Sequence, residues 1–96
     1  MTQLAIDSQH HVIIITPDVM PSADEFDFWG RIFLHHDAIA IGEFEQGVDR
    51  HMLRFSFEQL PFELHFEHYG DNIWISATGV EAQGKLTELG NYLSAS

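Results

Sequence analysis

The chain contains no cysteine, which excludes disulfides, iron–sulfur clusters and thiolate zinc sites. Basic residues are almost as scarce: four lysines and arginines stand against fifteen aspartates and glutamates, a formal charge of −11 with histidine neutral. That deficit opposes binding to a nucleic-acid backbone, which needs clustered lysine and arginine. It opposes adsorption to an anionic membrane surface in the same way. Long hydrophobic runs are missing too. None exceeds four residues, as in Val12-Ile-Ile-Ile15, far short of the roughly 20 residues that a membrane-spanning helix needs. The first residues, Met1 to Asp7, carry neither a basic flank nor an apolar stretch, so no signal peptide is expected and the cytoplasm is the expected location. There is no glycine-rich phosphate loop, no Gly-x-Ser-x-Gly elbow and no calcium-loop pattern.

What is present suffices for one core. The 96 residues are 45% hydrophobic and 12% aromatic, with no repeat, low-complexity tract or linker-like shift in composition. A single domain over 1–96 is therefore expected.

Leu4–Ile6 and Val12–Thr16 read as short strands joined by a turn at Asp7-Ser8-Gln9, and Pro17 and Pro21 bracket a break. Ser22-Ala-Asp-Glu25 has the pattern of a capping box. Phe26, Trp29, Ile32, Phe33 and His36 follow at helical spacing, which predicts a helix over Ala23–His36. Gly30 inside it costs about 1 kcal/mol relative to alanine, a cost that close approach to a sheet would explain. Four strands come next: Ala38–Glu45, Arg50–Glu58, Phe62–Tyr69 and Asn72–Thr78. Thr78-Gly-Val-Glu81 has the pattern of a second capping box, opening a helix that runs to Leu93.

Turns at Gln46-Gly47-Val48, Gln59-Leu60 and Gly70-Asp71 align one apolar face across the four central strands. They place Ile41 opposite Leu53, Leu53 opposite Phe66, and Phe66 opposite Ile75. The expected fold is α+β: a two-layer sandwich with a predominantly antiparallel sheet of about six strands, in the order ββαββββα, both helices on one face. A strand–helix–strand crossover favours Val12–Thr16 beside Ala38–Glu45 in parallel, with the far edge strand as the alternative.

This phasing sorts the polar residues. On the helix-covered side it brings Glu43, His51 and His68 together at the end of the core, since neighbouring strands lie about 4.8 Å apart. Two imidazoles and a carboxylate suit a divalent metal, and the same placement equally describes a polar rim where the core ends. His65 and His68 are three apart on a strand and face opposite sides, so they are not a metal pair by themselves. The helix-free face collects Phe44, Met52, Arg54, Glu63, His65, Glu67, Tyr69 and Trp74, with Glu67 between Met52 and Trp74. Aromatic residues, methionine and arginine together resemble an interface. Long side chains lying flat over aromatic surface would look similar.

The stretch Phe66-Glu-His-Tyr-Gly-Asp-Asn-Ile-Trp74, with Phe28-Trp-Gly30 upstream, resembles an uncharacterised family of short bacterial proteins. That resemblance implies no activity and no catalytic residues. The leading expectation is a small acidic protein-interaction module whose helix-free face, centred on Phe44, Met52, Arg54, His65, Glu67, Tyr69 and Trp74, meets a second copy or a basic partner. The alternative is a protein that binds a divalent metal or small ligand through Glu43, His51 and His68. A third reading is an inhibitor or antitoxin that mimics nucleic-acid charge. A flat meander offers no water-excluding cleft, so an enzyme is not expected.

Overall fold

The computed structural model describes residues 1–95. The chain runs β1 (Gln3–Asp7), β2 (Val12–Thr16), α1 (Phe26–Phe33), β3 (Ile39–Gln46), β4 (Arg50–Phe57), β5 (Leu60–Glu67), β6 (Asn72–Ala77), α2 (Val80–Gln83) and α3 (Leu86–Ser94). All six strands form one antiparallel sheet in the order β1-β2-β6-β5-β4-β3. This is the α+β sandwich that the alternation predicts. The core lies between one face of the sheet and the helices. Ile13, Leu53, Leu64 and Ile75 reach it from the strands, and Phe26, Leu34, Ala82, Leu86 and Leu89 from the helical side. Among the described residues no helix is long and apolar enough to cross a membrane.

Four details differ from the sequence expectation. First, β2 takes the far-edge alternative, pairing antiparallel with β6, Ile13 opposite Ile75, and not in parallel with β3. Pairing there extends the apolar face beside Ile73 and Ile75. The segment containing α1 then carries the chain over the sheet to its opposite edge, so the crossover preference for adjacent strands does not apply.

Second, all three hairpins close at other places: Gly47-Val48-Asp49 joins β3 to β4, with Ile41 opposite Phe55 and not Leu53. The β4–β5 turn is Glu58-Gln59, with φ +51° and +70°, the left-handed pair that a tight hairpin demands and that glutamate and glutamine rarely supply. The β5 and β6 strands part at Glu67 and Asn72, leaving His68 to Asp71 as the loop. Each pairing is displaced by two residues, so Leu53 faces Leu64 and Leu64 faces Ile75. A slip of two keeps every side chain on its expected face.

Third, β3 carries a bulge between Ile41 and Phe44. Gly42 and Glu43 share the place opposite Arg54, and every residue after them changes face relative to a regular strand.

Fourth, both predicted helices are shorter. The Ser22 N–H donates to Glu25 Oε1 at 3.1 Å, the return half of the expected box, yet α1 begins only at Phe26. The C-terminal helix is divided at Gly84-Lys85 into α2 and α3. Gly79, at φ +98°, turns the chain into α2 without a side-chain cap, so the second box does not form. Gly30 plays the expected part: a Cβ there would lie 3.1 Å from the Cδ2 atoms of both Leu53 and Leu64. The missing side chain lets α1 rest directly on the sheet.

Candidate functional surfaces

The helix-free sheet face is organised by a transverse row. Successive partners across the strands are Ala5, Ile14, Trp74, His65, Met52 and Glu45. The centre of that row is His65, only 8% exposed although no helix covers it. Its ring stacks on Trp74 with centroids 5.0 Å apart and planes 14° from parallel. The Arg50 guanidinium lies over the same indole, 5.2 Å from the ring centroid.

His65 Nε2 is 2.9 Å from Ser76 Oγ and 3.3 Å from Glu63 Oε1. The other oxygen of Glu63 accepts from Arg54 Nη1 at 2.8 Å, and Arg54 Nη2 donates to Glu45 at 3.0 Å. Glu45, followed by Glu63, holds the Arg54 pKa above its ordinary value. Arg54 is thus clamped between two carboxylates, the lower of which also reaches the buried imidazole.

Burial lowers the His65 pKa from its ordinary 6.5. The Glu63 carboxylate opposes that shift, and the Arg50 charge adds to it. The ring is therefore neutral at pH 7, and its one N–H belongs on Nε2, where the oxygens are. Nδ1 is left buried with no hydrogen-bond partner. The unfolded chain takes up this proton near pH 6.5, whereas the folded chain resists it to lower pH. Stability is therefore expected to fall as pH drops below about 6.5, and the loss ends once the folded imidazole is protonated as well. Thermal melts of the wild type and His65→Gln between neutral pH and about pH 5 check this, with a shallower decline expected for the variant. Equal slopes would contradict it.

The expected face is only partly assembled. Met52, Arg54, His65, Glu67 and Trp74 lie on it, joined by Ile14 and Arg50. Phe44 does not: the bulge turns it inward, where its ring meets Phe26 at 6.4 Å and His51 at 5.6 Å. Tyr69 stands in the β5–β6 loop, exposed to solvent. Glu67 faces Arg50 and Asn72, not Met52 and Trp74, and its Oε1 accepts from the Gly70 N–H at 2.6 Å.

The expected trio divides in the same way. His51 and His68 do meet, with ring centroids 4.3 Å apart and His68 Nε2 3.3 Å from His51 Nδ1. His51 is buried against Phe26, Phe44 and Phe66. Glu43 is displaced to the position opposite Arg54 by the same bulge that turns Phe44 inward. Among the described residues no group of three His, Cys, Asp or Glu is arranged to hold a metal. The sequence signal for this correction is Gly42, since a glycine inside a strand pattern marks a bulge.

A second surface lies on the outer side of α1. Phe28 and Ile32 are 71% and 59% exposed there, and Val19 in the preceding loop is 80% exposed. Five of the eight residues Phe26–Phe33 are large and apolar, more than one buried stripe accommodates. That excess was the available sign of this surface.

The family model described as "Protein of unknown function (DUF3630)" matches residues 1–95. No curated protein and no solved structure matches the chain.

Proposed function

The chain belongs to DUF3630, a family of unknown function, and we propose that it is a protein-interaction module whose helix-free sheet face pairs with a second copy of itself. The observation that carries this reading is the transverse row, in which Ile14, Trp74 and Met52 lie uncovered by any helix. Flanking it are Arg50, Arg54 and Glu63, and Glu45 stands at its end. An apolar strip inside a rim of paired charges has the anatomy of an interface core and its border.

Charge selects the occupant. Two copies of a chain carrying −11 repel one another over most of their surfaces. This face holds two of the four basic residues, Arg50 and Arg54, with Arg54 shared between Glu45 and Glu63. Glu45, Glu63 and Glu67 stand against the two arginines, so this face comes nearer to charge balance than the chain as a whole, and repulsion between copies is weakest here. The hollows along the row, about 290 Å³ beside Trp74 and 240 Å³ beside Met52 and His65, lie below the usual size of ligand pockets and suit inserted side chains. A cytoplasmic setting fits a chain without cysteine.

The test is solution mass by light scattering across a concentration series. The wild type is expected to exceed the 11.0 kDa of one chain and approach twice that value. Ile14→Asp, at a site 44% exposed and so tolerant of change, is expected to return the mass to one chain. A wild type that stays at one chain throughout, or an Ile14→Asp variant that associates as the wild type does, would refute the pairing.

A further inference from the structure

A hollow of about 580 Å³ lies beside α1, on the other side of the sheet from the face just described. Val19, Phe28, Trp29 and Ile32 form its apolar wall, with Asp24 and Glu25 at its rim. Phe28 and Ile32 are four residues apart, so they make one ridge along the helix. A second hollow of about 340 Å³ lies against the same ridge, where Arg31 and His35 line it. Phe28 and Ile32 border both hollows, and the one of 580 Å³ forms an apolar groove beside α1.

The charge beside this groove is predominantly negative. Asp24 and Glu25 are exposed, and Arg31, the neighbouring cation, is already held by Asp27 at 2.8 Å. A second copy of this chain brings the same acidic excess and is repelled here.

We infer that the groove docks a basic amphipathic helix of a partner protein. The apolar stripe of that helix lies against Phe28, Trp29 and Ile32, and its lysines or arginines face Asp24 and Glu25. Anchors at i, i+3, i+4 and i+7 are the spacing that such a groove reads. The acidic field speeds encounter with a basic segment and makes the complex sensitive to salt. Whether the sheet face pairs with a second copy does not bear on this site.

The experiment titrates the full chain into a fluorescently labelled synthetic helix, apolar at that spacing and lysine-rich on its other face. A matched peptide with glutamate in place of lysine and a scrambled lysine peptide serve as controls. The designed lysine peptide is expected to bind, with affinity falling as salt is raised, and both controls to bind far more weakly. Phe28→Ser and Ile32→Ser, each at an exposed position, are expected to weaken binding by about tenfold or more. Ile14→Asp on the sheet face is expected to leave it unchanged. Circular dichroism verifies that each variant is folded. Equal binding of the scrambled peptide, or full binding by both serine variants, would reduce the effect to charge attraction alone and overturn the inference. Loss of self-association in Phe28→Ser would assign the groove to a second copy and overturn it too.

Discussion

Phe26→Ala is expected to lower stability by about 3–5 kcal/mol, a large share of the roughly 5–15 kcal/mol that holds a domain of this kind folded. Phe26 is fully buried, and its ring touches the layers that must stay together. Phe66 lies 5.3 Å away on β5, His51 6.3 Å away on β4, Phe44 6.4 Å away on β3, and Trp29 6.4 Å away one turn along α1. Truncation removes apolar burial and leaves a cavity that four aromatic neighbours cannot readily close. The helix it anchors spans only eight residues, too short to persist without tertiary contacts. Urea denaturation read by circular dichroism measures the loss as a lower midpoint. Phe28→Ala, two residues away but largely exposed, supplies the contrast. Its expected effect on stability is within about 0.5 kcal/mol. Similar midpoints for the two variants would mean that α1 is not seated on Phe26.

The second large effect is expected at the sheet face. Trp74→Glu should weaken self-association by about 30-fold to 1,000-fold, the range of a tryptophan hot spot worth about 2–4 kcal/mol. Two causes act together. The indole is the broadest apolar surface in the transverse row, flanked by Ile14 and His65. Its replacement also adds one carboxylate per copy to chains that already carry −11. Within a single chain the variant loses the stacking of Trp74 on His65 and the Arg50 contact, an interaction worth about 0.5–1 kcal/mol where exposed. The melting temperature is therefore expected to fall modestly while the secondary structure is retained. Trp74→Phe keeps an aromatic ring and should keep most of the association. Sedimentation equilibrium on the three proteins separates these outcomes, and association that Trp74→Glu leaves intact would remove Trp74 from the contact.

His65 links the two halves of that face. On its Nε2 side it is tied to Ser76 and Glu63, on one ring face it lies under Trp74, and its Nδ1 has no partner. A neutral buried imidazole rigidifies the centre of the row. Its protonation at lower pH would place a charge in a buried site, a cost to which the Arg50 and Arg54 charges add, and this explains the expected loss of stability on acidification.

Alternation of apolar and polar residues was enough to identify all six strands and the face each side chain takes along most of β4, β5 and β6. It survived the misplaced turns on either side of β5 because the strand period is two and each of those errors was a shift of two. Met52, Arg54, His65 and Trp74 were legible as neighbours on an uncovered face for that reason, and His51 and His68 as a pair at the end of the core. The number of layers followed from the same pattern, since one apolar face demands a cover and the helices supply it.

The remainder depended on contacts between residues far apart in the chain. One unpaired residue in β3 displaces Glu43 and turns Phe44 inward, because packing of the Phe44 ring against Phe26 and His51 outweighs regular pairing at that point. The choice of β6 as the partner of β2 is a competition between sheet edges, and local propensity is nearly the same at both. Exposure of Phe28 and Ile32 follows from where α1 comes to rest, which Gly30 permits and Phe26 secures. Periodicity along a chain specifies which residues share a side. Which sides end up covered is a matter of three-dimensional packing, because burial depends on what arrives from elsewhere in the chain.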